Sequence, residues 1–130
     1  MRCFIAVCAL AFMLGCRPDQ DKKTLDRAFA IHQEAMVVAE EIEQQLKAYT
    51  GQATTAPNPD SVRVWIAELE EWEKNVVEVS GYEHEHHHHH DGEHHHHGPA
   101  PDVSAGEMLD IQREMRTRIE ALRLRIQRQQ

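Results

Sequence analysis

The chain has 130 residues, and its 22 acidic residues against 14 Lys and Arg give a formal net charge of −8. This length allows at most one small domain, which excludes a large enzyme or a channel. The acidic balance argues against nucleic-acid binding, which normally requires a basic surface. The most unusual feature is histidine, with 11 residues, of which ten lie between His84 and His97.

The first 16 residues have the pattern of an export signal, in which Arg2 precedes an apolar run over residues 4–14. A run of this length suits a signal-peptide core and is too short to span a bilayer core of about 30 Å. It ends in Met13-Leu14-Gly15-Cys16, which resembles the lipobox of bacterial lipoprotein signals, with Met13 where leucine is commonest. An ordinary secretory signal with an incidental cysteine is the alternative.

The lipobox resemblance implies that residues 1–15 are removed and that Cys16 is acylated and anchors the protein to a membrane. Because Arg17 rather than aspartate follows this cysteine, it also implies the periplasmic face of the outer membrane where the envelope is Gram-negative. Cys3 and Cys8 leave with the signal, so no thiol remains for a disulfide or for nucleophilic catalysis.

Apolar residues at helical spacing predict a first helix over residues 24–50, after a polar tether at 16–23. Asp19 or Asp21 is the expected N-cap. A linker rich in Gly, Pro and Thr follows at 51–59.

The second helix is predicted over residues 60–79, where Asp60 or Ser61 is the expected N-cap and Gly81 supplies a stop. Trp65 and Trp72 are seven residues apart on one face of this helix. Their size and spacing predict core anchors against helices one and three rather than a stacking platform for a ligand.

The third helix is predicted over residues 104–130, where Ser104 and Glu107 have the spacing of a capping box. Its apolar residues recur at intervals of three and four, which suits coiled-coil-like packing. They are Met108, Ile111, Met115, Ile119, Leu122 and Ile126.

The expected fold is all-α, either a small helical hairpin or a three-helix bundle. A long disordered His-rich loop at residues 80–103 is predicted between helices two and three. Residues 60–97 are strongly acidic, whereas residues 104–130 carry six arginines against four acids. This charge distribution favours an antiparallel pairing of helices two and three, although each exposed ion pair contributes little.

The candidate metal ligands are ten histidines with three carboxylates among them. They are His84, Glu85, His86, His87, His88, His89, His90, Asp91, Glu93, His94, His95, His96 and His97. Neutral imidazole is the commonest protein ligand for zinc, nickel, cobalt and copper(II). Gly92 lets the two histidine blocks face one ion. Because many sets of these neighbouring ligands can close on a metal, we expect low specificity and fast exchange, with zinc the foremost ion.

The His-rich tract also allows two alternative interpretations. It is either a solvated low-complexity linker whose metal affinity is incidental, or a segment that responds to pH through protonation of its imidazoles. The eleventh histidine, His32, has Met36 four residues later, an arrangement that suits copper. An interface histidine is the simpler interpretation, and Met108 with Met115 is likewise expected in the core.

The sequence indicates a binding protein rather than an enzyme, since it has no Gly-rich phosphate loop and no separated Ser/His/Asp set. The expected function is a lipid-anchored envelope protein that buffers, sequesters or hands on divalent metals. The alternative is a structural or interaction lipoprotein that docks to an envelope partner or self-associates through helix three. A metal- or pH-responsive periplasmic chaperone or sensor belongs to this alternative.

Overall fold

The computed structural model describes residues 18–51, 57–82 and 98–129. These ranges contain three α-helices, α1 at Pro18–Gly51, α2 at Pro59–Lys74 and α3 at Ala105–Gln127. They form an all-α three-helix bundle, as the sequence predicts. The predicted signal peptide, Cys16 and all candidate metal ligands lie outside the described residues. Within the described ranges, no helix has the length and apolarity needed to cross a bilayer.

α1 and α3 lie side by side and share the most extensive helix–helix contact of the bundle. They run parallel, because residues that meet advance together along both helices. Glu34 pairs with Arg116 at 2.5 Å. About two helical turns further along both helices, Glu41 lies 3.8 Å from Arg123. Both helices therefore begin at the same end of the bundle.

α2 runs antiparallel to α3. The Trp72 indole N–H donates to the Met115 carbonyl at 2.9 Å, whereas Glu68, earlier in α2, pairs with Arg125, later in α3. The acidic second helix thus meets the Arg-bearing third helix, as predicted, at this ion pair. Arg116 and Arg123 of α3 reach α1 instead, along the most extensive helix–helix contact of the bundle, whereas Arg113 pairs with Asp110 within α3.

The core consists of apolar side chains from all three helices. Trp65 and Trp72 are only 3% and 6% exposed, which confirms their predicted role as core anchors. Burial of one such large side chain contributes about 1.5–3 kcal/mol, so a small bundle depends on each of them. The buried members of the main cluster are Ala35, Val38, Ala39, Ile42, Leu46, Val62, Trp65, Leu69, Trp72, Val76, Met115, Ile119, Leu122 and Ile126.

α1 begins at Pro18 rather than at residue 24, so residues 18–23 of the predicted tether are helical. Proline is well tolerated at the first helical position, where its missing N–H would have had no partner in the helix. Asp19 and Asp21 lie in the first turn, where carboxylates complement the helix dipole, instead of serving as N-caps.

α2 differs from its predicted bounds at both ends. Its N-cap is Asn58, whose side chain accepts from the Asp60 N–H at 2.9 Å, with Pro59 at the start of the helix. The helix ends at Lys74, and residues 75–79 leave it, because Val76 and Val79 are buried against the bundle from a non-helical backbone. The third helix begins as predicted, with Ser104 and Glu107 forming a capping box.

Candidate metal-binding segment and its stem

The chain enters the His-rich segment after Tyr82 and leaves it before Gly98, and both flanking stretches are described. We call residues 76–82 and 98–103 the stem. The candidate ligands, His84, Glu85, His86–His90, Asp91, Glu93 and His94–His97, all fall between the two halves of the stem and outside the described residues. The stem is thus the part of the candidate site whose geometry is known.

Backbone hydrogen bonds join the two halves of the stem. The Gly98 N–H donates to the Val76 carbonyl at 3.0 Å, and the Gly98 carbonyl accepts from the Glu78 N–H at 3.2 Å. Together they form a parallel bridge opposite Val77. The chain that carries the histidines is therefore closed into a loop at its base, which reduces the entropy that a bound ion would otherwise have to overcome.

A tight turn precedes the segment. The Tyr82 N–H donates to the Val79 carbonyl at 2.9 Å, and Gly81 within this turn has a φ of +81°. A side chain at this position would meet the steric penalty of the left-handed region, so glycine is the residue that permits the turn. The turn directs Tyr82 back onto α1.

Tyr82 fastens the stem to α1 through its ring and its hydroxyl. Its ring stacks on Phe29 with centroids 4.7 Å apart, and its hydroxyl donates to Asp26. Hydrogen bonds from Tyr82 and Lys22 hold the pKa of the Asp26 carboxyl below its usual value. The same bond to Asp26 raises the pKa of the Tyr82 hydroxyl.

A small apolar cluster packs behind this contact and joins the stem to α1 and α3. Its buried members are Ala28 of α1, Val79 of the stem and Met108 of α3. Partly buried Phe29 and Tyr82 also pack against it. Both polar and apolar contacts therefore join the stem to one end of the bundle.

Gln112 of α3 joins the stem to the interior of the bundle. Its Nε2 donates to the Val77 carbonyl at 3.0 Å, and its Oε1 lies 3.2 Å from Nδ1 of His32. Gln112 and His32 are 1% and 2% exposed, so this polar pair is enclosed by apolar packing. His32 is thus an interface histidine, and Met36 lies partly buried at the edge of the core.

The sequence did not predict Gln112 as an interior residue. Ile111 was expected on the buried face, whereas it is Gln112 that lies in the core and Ile111 that is partly buried. Met108, Gln112 and Met115 are spaced by four and three residues, and this spacing places Gln112 on the same helix face as the two buried methionines. Within the described ranges, no group of three or more His, Cys, Asp or Glu side chains could hold a metal ion.

A groove of about 410 Å³ lies between α2 and α3, and Asn75, the residue before the stem, lines it. Its exposed apolar surface comes from Val64 and Ala67, and the buried side chains of Trp72, Ile119 and Leu122 lie beneath it. The ion pair between Arg125 and Glu68, in which the two terminal guanidinium nitrogens, Nη1 and Nη2, contact the carboxylate, also lines it. The groove thus has an apolar strip between charged side chains.

Comparison with known proteins gives no match: no protein-family model, curated protein or solved structure resembles this chain. The chemistry of its own residues is therefore the basis for assigning a function. That chemistry is a dense set of imidazoles between the two halves of a stem that is hydrogen-bonded to a helical bundle.

Proposed function

We propose that this chain is a lipid-anchored envelope protein that binds divalent transition metals through the histidines at 84–97. Zinc is the foremost candidate, followed by nickel, cobalt and copper. The observation that carries the proposal is the concentration of ten histidines in this short segment, on a chain whose first 16 residues resemble a lipoprotein signal. The role would be buffering, sequestration or hand-over of the ion, without catalysis.

The chemistry of the ligands supports binding of more than one ion. Four-coordinate zinc requires three or four nitrogen or oxygen ligands, so ten imidazoles would hold about two or three ions. Glu85, Asp91 and Glu93 would lower the local potential and add oxygen ligands. The closed stem supports the same function, because it holds both ends of the ligand-bearing chain on the bundle.

The decisive experiment is zinc titration calorimetry on the mature chain and on a variant whose residues 83–97 are replaced by Gly and Ser. We expect binding of about two or three ions to be lost in the variant. A matched control replaces Glu85, Asp91 and Glu93 by their amides and keeps every histidine, and it should retain most of the sites. Unchanged stoichiometry in the Gly/Ser variant would refute the metal-binding proposal.

The lipid anchor is tested separately by the mass of the mature protein and by fractionation of the cell envelope. We expect acyl chains on Cys16 and recovery with the outer membrane where the source is Gram-negative. The Cys16→Ser variant should lose both the added mass and the membrane association. An unmodified cysteine in the mature wild-type chain would refute this part of the proposal.

A second candidate function is that of an interaction protein, and the groove between α2 and α3 favours it. In this case a partner helix, from an envelope protein or a second copy, would pack against the exposed side chains of Val64 and Ala67, which line the groove, and the His-rich segment would be a linker. Mass in solution distinguishes the candidates. An oligomer that is indifferent both to zinc and to loss of residues 83–97 would favour the interaction protein.

A further inference from the structure

The start of α1, the stem and the start of α3 lie at one end of the bundle, which we call the stem end. α1 begins at Pro18, two residues after Cys16, and two residues span at most about 7 Å. The contacts of Tyr82 with Asp26 and Phe29 place the stem on the first third of α1. The candidate lipid attachment and both ends of the His-rich segment are thus brought to the same end.

The helical rise gives the distances along α1. At 1.5 Å per residue, Asp26 lies about 12 Å and Phe29 about 17 Å from Pro18. Gly51 at the other end of the helix lies about 33 Å beyond Phe29. The stem is therefore close to the anchored end and far from the opposite end of the bundle.

We propose that the stem end faces the membrane, so that the His-rich segment leaves and re-enters the bundle beside the lipid headgroups. This inference rests on the proposed lipid anchor at Cys16. It adds that the lipid surface lies next to the His-rich segment. A chain of 15 residues with both ends fixed reaches at most about 25 Å from its base. That reach exceeds the distance along α1 from the stem to Pro18, and it falls short of the distance to Gly51.

α1 has no continuous exposed apolar face with which it could lie flat on the bilayer. Among the described residues, the large exposed apolar side chains are Val37, Val64 and Leu124, one on each helix, at 55%, 54% and 46% exposure. Interfacial helices need a continuous apolar face, and the apolar face of α1 is covered by α2 and α3. Because the connection from Cys16 to the start of α1 is short, the stem end of the bundle would then face the lipid.

Placement beside the headgroups would have a chemical consequence. An anionic leaflet attracts cations, and this enrichment decays over a Debye length of about 8 Å at physiological ionic strength. Ligands carried at the stem end would be closer to this enriched layer than ligands carried at the far end. The bundle would then serve to hold a metal-binding segment at the bilayer surface.

Paramagnetic relaxation enhancement tests this orientation without relying on metal binding or on lipidation in the cell. The chain from residue 16 onward is coupled through Cys16 to a maleimide lipid in nanodiscs that carry gadolinium-chelate headgroups. Because the enhancement falls with the sixth power of distance, we expect amide signals of Gly81 and Gly98 to be enhanced at least about tenfold more than those of Gly51 and Gln127. The full gradient along α1 is read from the same spectra.

A reversed anchor is the matched control. In the variant Cys16→Ser with Gln129→Cys, the same lipid is attached at the opposite end, and the gradient should invert. Equal enhancement at both ends with the Cys16 anchor would overturn the inference, as would a pattern that repeats every three to four residues along α1. Failure of zinc binding or of cellular lipidation appears only in the calorimetry and mass measurements above, so the two proposals fail separately.

Discussion

Gln112 and His32 meet inside the bundle, with Oε1 of the amide 3.2 Å from Nδ1 of the imidazole. Nε2 of Gln112 donates to the Val77 carbonyl at 3.0 Å, and a carbonyl oxygen can only accept. The amide is therefore oriented with its oxygen towards α1. Nδ1 of His32 is therefore the donor in this hydrogen bond.

We expect nitrogen-15 NMR to show the Nδ1–H tautomer of His32 at neutral pH. The measurement is cleanest in the variant with residues 83–97 replaced by Gly and Ser, in which His32 is the only histidine. Gln112→Met in the same background removes the acceptor and should shift the ring towards the Nε2–H form. A predominant Nε2–H form in the presence of Gln112 would contradict the assigned hydrogen bond.

Gln112→Met should also destabilise the bundle. It leaves the His32 N–H and the Val77 carbonyl without their side-chain partner, and each buried unsatisfied group costs about 1–3 kcal/mol. Urea denaturation of this variant, of His32→Leu and of the double variant completes a thermodynamic cycle. We expect the double variant to lose less than the sum of the single losses, with coupling of at least about 0.5 kcal/mol. Strictly additive losses would mean that the two side chains do not interact.

The same residue shows where sequence patterns stop being informative. Ile111 and Gln112 are neighbours on the third helix, and hydrophobicity alone predicts that Ile111 is the more buried of the two. The partners that make a buried glutamine favourable are His32, 80 residues away, and Val77, 35 residues away. Such long-range pairs follow from the assembled bundle, and no local pattern contains them.

Features set by neighbouring residues were predictable. The Ser104–Glu107 capping box involves residues three apart, and the tryptophan face of α2 repeats within one helix. The end of α2 was not predictable, because Val77 leaves the helix to pair with Gly98 across the whole His-rich segment. The three helices were predicted from the sequence and are confirmed, and the metal ligands stay a prediction, whereas the stem that flanks them required the structure.

Tyr82→Phe should raise the pKa of Asp26 towards its usual value, because the Tyr82 hydroxyl is the main cause of its lowering. A lowered pKa in the folded state means that Asp26 adds stability above its unfolded pKa. This contribution is lost as the pH falls through the folded pKa. Carbon-13 NMR of the carboxyl group follows the titration directly.

Tyr49→Phe is the matched control for this titration. The Tyr49 hydroxyl accepts from Gln45 at 2.7 Å within α1 and lies in a different part of the bundle from Asp26. This variant should leave the Asp26 titration unchanged. If Tyr82→Phe also left it unchanged, the hydrogen bond between Tyr82 and Asp26 would not exist in solution.

The capping box should make stability depend on pH. Hydrogen bonds from the Ser104 hydroxyl and backbone N–H lower the pKa of Glu107, so its stabilisation is present above the unfolded pKa and is lost as the pH falls through the folded pKa. Glu107→Gln keeps an acceptor without a titrating group and should lose this dependence. Ser104→Ala should cost about 1 kcal/mol at neutral pH. Thermal unfolding across acidic pH measures both effects, and identical pH profiles for wild type and Glu107→Gln would exclude the contribution.

Acid should release zinc from the His-rich segment, because protons and metal ions compete for the same imidazole nitrogens. Below the ordinary histidine pKa of about 6.5, affinity should fall by about tenfold per pH unit for each coordinating imidazole. Three imidazoles per ion thus predict a limiting loss of about 1000-fold per pH unit. Chelator competition on either side of that pKa measures the slope.

The variant in which Glu85, Asp91 and Glu93 become amides separates the two ligand types. Carboxylates titrate well below histidine, so zinc held by imidazoles should show the same steep loss in this variant as in the wild type. A shallow slope in the wild type would instead assign the ions to the carboxylates. The number of histidines in each site then follows from the slope, because each coordinating ring that must lose a proton adds one power of the proton concentration to the apparent affinity.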